Sequence, residues 1–118
     1  MSKITKEEIR QMAIQGKDIS QLDVSHIEDF SRMFEGILNF NQDISDWDVS
    51  NGKYFLDMFR GCKNFNCDIS KWDISSGVYF SSMFFMSGVS QQKEILDKIY
   101  FAWKLKNKEL PPLGELYE

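Results

Sequence analysis

Phe40–Ser50 reads FNQDISDWDVS, and Phe65–Ser75 reads FNCDISKWDIS, the same text displaced by 25 residues. Its second half occurs once more as DISQLDVS over Asp18–Ser25, displaced by 25 residues in the other direction. Aligned at that period, apolar residues fall in columns: Ile19/Ile44/Ile69, Leu22/Trp47/Trp72, Val24/Val49/Ile74 and Phe30/Phe55/Phe80. Met33-Phe34, Met58-Phe59 and Met83-Phe84 continue the register, and Phe40 matches Phe65 before the column ends at Ser90. A single copy cannot bury its own apolar side. Stacked copies cover one another and turn the columns into one core.

Within each copy, residues 21–25, 46–50 and 71–75 alternate polar and apolar, the pattern of a half-buried strand. The strings I-x-x-L-x-V and I-x-x-W-x-V resemble the strand pattern of leucine-rich repeats. FSRMFEG, FLDMFRG and FSSMFFM then place Phe, Met and Phe at i, i+3 and i+4, which is helical spacing, with Gly36 and Gly61 where a short helix would stop. The expected fold is an α/β solenoid: a short leucine-rich-repeat-like stack of about three strand–short-helix coils over residues 18–90.

The ends need caps. Over residues 1–17, Thr5 and Glu8 form a T-x-x-E capping box, and Ile9, Met12 and Ala13 form an apolar stripe before Gly16, which predicts a capping helix. Over 91–118, SQQKEILDKIYFAWKLKNKEL predicts a longer helix with Ser90 as its N-cap. Phe101 and Leu105 lie off that helix's main apolar face. Either Leu110, Leu113 and Leu116 fold back over the pair after a bend at Pro111-Pro112, or the pair is a contact for another chain, including a homodimer through this helix. Phe85 and Met86 replace the polar or glycine residues of earlier copies, and are expected under or beside the C-terminal helix.

Asp18, Asp43 and Asp68 precede the strand pattern and suit turns. Asp23, Asp48 and Asp73 sit mid-strand, where stacking brings carboxylates about 4.8 Å apart. At that spacing they repel by roughly 1 kcal/mol in water. Three readings of this ladder stand: it is held by Ser25, Ser50 and Ser75, it is an acidic strip for a partner, or it binds a cation. Residues 18–50 carry eight carboxylates against Arg32 alone, a net of −7 within a chain of net −4. Such a face repels phosphate backbones, so no direct nucleic-acid binding is expected, while a basic protein would be attracted.

Cys62 and Cys67 form a CxxxxC, read as two reduced thiols, and His26 is the single histidine, so no metal site or cofactor is expected. No phosphate loop, HExxH or Ser/His/Asp set is present, and no enzyme is expected. MSKITKEEIR has no signal-peptide character, which predicts a cytoplasmic protein with no membrane association.

The strings FNQDISDWDVSN, FLDMFRGC and FNCDISKWDIS closely resemble the BspA-like bacterial surface-protein repeat, a divergent relative of leucine-rich repeats, across about residues 18–90. That resemblance implies a right-handed repeat stack used for protein recognition. The expected function is a non-catalytic protein–protein interaction module, with Asp23, Asp46, Asp48, Asp73, Phe101 and Leu105 as candidate partner-binding residues. The alternative is a small acidic inhibitor, of the kind a mobile element could encode, that occupies a basic or nucleic-acid-binding site on a host protein machine.

Overall fold

The computed structural model describes residues 2–118. It contains helix α1 (Lys6–Ile14), a single 3-10 turn (Val89–Gln91), helix α2 (Lys93–Lys106) and a short helix α3 (Leu113–Tyr117). Among the described residues no strand forms. Among the described residues the β pairing is limited to two isolated parallel bridges, Asp29 with Tyr54 and Tyr54 with Tyr79. The expected α/β solenoid of strand–short-helix coils is therefore corrected, and the leucine-rich-repeat description with it. Residues 21–25, 46–50 and 71–75 are irregular segments bounded by turns, and the three Phe-Met-Phe segments are runs of turns.

The reason lies in where the backbone bonds go. Asp23, Asp48 and Asp73 each accept from the amide of the serine two residues on, at 3.0 Å in all three cases. Ile27 N donates to Val24 O and Gly52 N to Val49 O, at 3.0 and 2.8 Å, closing tight turns just beyond. Groups that a strand would offer sideways are consumed locally. The Phe-Met-Phe segments are broken differently. Arg32, Asp57 and Ser82 take φ of 61°, 54° and 57°, so i, i+3 spacing is met by successive turns and not by a helix.

The 25-residue register survives as contact between turn-built layers (18–42, 43–67, 68–90). In the first layer, Phe30 N, Arg32 N, Phe34 N and Gly36 N donate to Tyr54 O, Leu56 O, Met58 O and Arg60 O at 2.8, 2.9, 3.0 and 2.8 Å. The second layer repeats the set toward Tyr79 O, Ser81 O, Met83 O and Phe85 O. Side chains follow. Phe30, Phe55 and Phe80 stack at centroid distances of 5.4 and 5.3 Å, and Phe34, Phe59 and Phe84 at 5.7 and 5.8 Å. Trp47 Nε1 donates to Ile19 O and Trp72 Nε1 to Ile44 O, each reaching back one layer at 3.0 and 2.9 Å. The first layer has no predecessor to reach, and there the column holds Leu22.

Each open end is closed by an imitation of the missing layer. At the start, the Thr5–Glu8 capping box forms as expected, Gly16 takes φ 73° just past the helix, and Ile9 and Ala13 are buried. Lys6 Nζ donates to Ser31 O at 3.1 Å, and Arg10 Nη1 to Arg32 O and Met33 O at 3.2 Å, on carbonyls that face no earlier layer. At the far end, Trp103 of α2 takes the next tryptophan slot. Its Nε1 donates to Ile69 O at 3.1 Å, and its ring stacks on Trp72 at 6.4 Å. The tail then supplies carbonyls: Ser82 N donates to Glu115 O and Phe84 N to Leu116 O, at 2.7 and 2.6 Å.

Ser90 as the helix cap and Met86 beneath the helix are corrected, and the alternative over Phe101 and Leu105 is decided. The residue that caps α2 is Gln92, while Ser90 sits in the 3-10 turn and bonds Ser87 O. The tail packs on the third layer and leaves Phe101 and Leu105 66% and 87% exposed. Phe85 is half-buried with the Arg60 guanidinium 5.1 Å from its ring centre, but Met86 is more than half exposed. Met86 also holds φ 58° where Gly36 and Gly61 hold 77° and 76°. A side chain in that region costs about 1–2 kcal/mol, partly offset by the chain entropy glycine loses. Met86→Gly is expected to raise stability by about 0.5–1 kcal/mol, read as a higher denaturant midpoint at unchanged slope.

Candidate partner-binding surfaces

The repeated Asp-x-Ser triplets build one surface. Asp18, Asp23, Asp43, Asp48 and Asp73 each accept from the hydroxyl of the serine two residues on, at 2.6–2.7 Å, and from its amide. Asp68 accepts from the Ser70 amide at 2.9 Å. Each carboxylate is thus fixed on its turn, and five of them (Asp18, Asp23, Asp43, Asp48 and Asp73) are exposed. The serine hydroxyl, then its amide, hold Asp48 below the usual carboxylate range against smaller opposing pushes from burial and from Asp23 and Asp73. The same two serine bonds lower Asp18, Asp23, Asp43 and Asp73. The ladder repulsion is real, and the serines outweigh it.

These groups have pKa values lowered from 3.8 in the folded chain, so their contribution to stability is complete above the unfolded value and is lost as pH falls through the folded values. The urea midpoint is expected to hold level down to about pH 4 and to decline below it. A midpoint that rises on acidification would contradict the serine-held carboxylates.

Lysines neutralise the surface unevenly. Lys71 pairs with Asp46 at 3.0 Å and Lys98 with Asp68 at 2.7 Å, while Lys106 attracts Asp73 and donates to the carbonyls of Ser70, Lys71 and Trp72. Glu28 and Asp29 pair with Lys53 and Lys6 at 3.1 and 3.0 Å. Among the described residues no ion pair reaches Asp18, Asp23, Asp43, Asp48 or Asp73. Of the expected partner-binding residues, Asp23, Asp48 and Asp73 carry no ion pair, although Lys3 attracts Asp23 and Lys106 attracts Asp73, and Asp46 is already paired with Lys71. Phe101 and Leu105 form a separate site on α2 and do not join the acidic surface.

Among the exposed apolar residues that escaped sequence reasoning, two share a groove. Ile14 and Leu38 are each 52% exposed and line one groove with Ile37, Gly16 and Gln42. Gly16 and Gln42 also line the neighbouring concavity that holds Asp18, Asp43 and Asp46, so apolar and acidic surfaces are contiguous there. A signal was available: the column of Leu38 continues as Lys63 and Gly88, so Leu38 obeys no stacking rule.

The remaining polar groups are structural. His26 Nε2 lies 2.7 Å from Ile4 O and ties the N-terminus to the first layer. Cys62 and Cys67 are free thiols, pushed up to about 12 and about 11 by burial, and Cys62 donates to Phe34 O. Among the described residues no group of three or more His, Cys, Asp or Glu is arranged to hold a metal ion, and no helix is long and apolar enough to cross a membrane.

No curated protein and no solved structure matches the chain. The family model described as "Mycoplasma protein of unknown function, DUF285" matches residues 2–108, which spans all three layers, α1 and α2, and the chain belongs to that family.

Proposed function

We propose that this protein is a non-catalytic recognition module that binds a basic protein partner through its first two layers. The observation that carries this reading is the set of exposed carboxylates without ion pairs, each fixed by its serine, of which Asp18, Asp23, Asp43 and Asp48 lie in the first two layers. A surface held rigid before contact gives up little conformational entropy on binding. Its field steers a basic partner from a distance. The likeness of the repeat to BspA-like surface repeats, whose use is protein recognition, supports the same reading at the level of family resemblance.

A second reading follows from the same carboxylates. Carboxylates are charged at every physiological pH, as phosphates are, and these four are held in place by their serines, which suits an inhibitor that occupies a nucleic-acid-binding site on a host protein.

One comparison tests both. Wild-type protein and a variant with all four aspartates changed to asparagine are immobilised and exposed to host extract at low and high salt. The module reading expects a partner captured at low salt, weakened by salt, and lost with the variant. The inhibitor reading further expects that nucleic acid competes the captured protein away. Equal capture by the two proteins would overturn both readings.

A further inference from the structure

Asn51 is the only one of the chain's six asparagines that precedes a glycine. A following residue without a side chain leaves its amide free to swing toward the asparagine carboxamide, so this pair is the one most open to deamidation. Asn51 is exposed, but the turn that carries it is tightly held. Its Nδ2 donates to Ser25 O in the preceding layer at 2.6 Å, and Gly52 N donates to Val49 O at 2.8 Å. Gly52 itself is buried. A Cβ added at Gly52 would lie 2.5 Å from Cζ of Phe55 and 3.0 Å from two carbons of the Phe30 ring. Both rings belong to the central stack, so packing demands glycine here, while the bond to Ser25 O uses an amide donor just before it. The other copies place His26-Ile27 and Ser76-Gly77 in this column, and neither pair can react in the same way.

We propose that Asn51 is a site of spontaneous deamidation, held off by the folded chain and opened by unfolding. In the reaction, Gly52 N gives up its proton to hydroxide and attacks Asn51 Cγ. The Cγ–Nδ2 bond breaks, ammonia leaves, and a succinimide ring remains. Water then opens the ring at either carbonyl and leaves aspartate or isoaspartate. The folded chain opposes the first step twice. The nucleophile is a buried amide whose proton is shared with Val49 O, and the leaving nitrogen is tied to Ser25 O in another layer. Intramolecular attack needs the reacting atoms in near-attack geometry, and here that requires the turn to open. The product does not fit the place it came from. A carboxylate at position 51 has no proton for Ser25 O, and the adjoining turns already hold Asp23 and Asp48. Isoaspartate also lengthens the backbone inside the turn. The reaction therefore removes a bond between the first two layers, so each unfolding event that allows it makes the next more frequent. No partner protein is required, and the recognition reading can stand or fall apart from it.

Peptide mapping by mass spectrometry tests this, on the full chain held at one mildly alkaline pH in buffer and in concentrated urea. In urea, deamidation is expected at Asn51 ahead of every other asparagine, and at least roughly 10-fold faster than in buffer. Asn51→Asp reproduces one product directly, and Asn51→Ser borrows the residue that the third layer places in this column. The urea midpoint of Asn51→Asp is expected to fall below those of wild type and Asn51→Ser. Equal rates at Asn51 in buffer and in urea would overturn the proposal. So would a reaction spread evenly over the asparagines in urea, or an Asn51→Asp chain as stable as wild type.

Discussion

Trp103→Ala is expected to lower the free energy of unfolding by about 3–5 kcal/mol, the range for deleting a large buried aromatic side chain. Trp103 is fully buried, stacks on Trp72 at 6.4 Å, and lies 6.1 and 6.0 Å from Phe80 and Phe84. Its indole is a second donor to Ile69 O beside the Trp72 amide, so alanine leaves a cavity and removes one of that carbonyl's two hydrogen bonds. These are the contacts that Trp47 makes with Phe30 and Phe34, and Trp72 with Phe55 and Phe59. Trp103 therefore closes the stack in the manner of one more layer. Trp103→Phe keeps the ring and loses the donor, and should cost about half as much or less. Urea unfolding of the three proteins checks the order. Equal stability for wild type and Trp103→Ala would mean that α2 does not close the stack.

Phe59→Ala is expected to cost about as much, 3–5 kcal/mol, and about 1 kcal/mol more than Phe34→Ala. Phe59 packs on Phe34 below at 5.7 Å and Phe84 above at 5.8 Å, with Phe65 at 4.0 Å and Trp72 at 6.2 Å. Phe34 touches Phe40, Trp47 and Phe59, and has no aromatic layer before it. In a stack whose stability is a sum of layer-to-layer terms, a central position takes part in two of them and a terminal position in one. The unfolding free energies of the two variants, measured side by side, decide. Identical losses would argue against layer-by-layer accounting.

The stacking rule was legible in the sequence because it is written as coincidence. Ile19/Ile44/Ile69 and Phe30/Phe55/Phe80 share columns, and a column has no better use than burial. The α1 cap was legible because T-x-x-E names both partners of a reciprocal bond. Two ion pairs were legible in principle, since Lys71–Asp46 and Lys53–Glu28 are each separated by the repeat length of 25.

The strands were misread because two local codes compete over the same residues. Alternation in D-W-D-V-S suits a half-buried strand, but Asp48 with Ser50 closes a turn, and the local bonds win because they leave only isolated backbone groups for pairing between layers. The helical spacing of F-S-R-M-F misled in a similar way. Positive φ at Arg32, Asp57 and Ser82 is unusual for such residues, and a non-glycine in that region leaves no compositional trace. The exposed pair Phe101 and Leu105 was visible as an anomaly on its helix. Whether Leu113 and Leu116 would cover it depended on the tail's backbone bonds to Ser82 and Phe84, which no side-chain pattern records.

Hydrogen exchange at the three tryptophan indoles reports most directly on whether equivalent residues sit one layer apart. The chain has three tryptophans, and their Nε1 groups donate to Ile19 O, Ile44 O and Ile69 O, acceptors that repeat at the period of 25. All three indole protons, followed by nuclear magnetic resonance after transfer to deuterated water, should exchange slowly and together, at the rate set by global unfolding. Fast exchange at Trp47 and Trp72 while the chain remains folded would show that the layers are not in register, and would contradict the account.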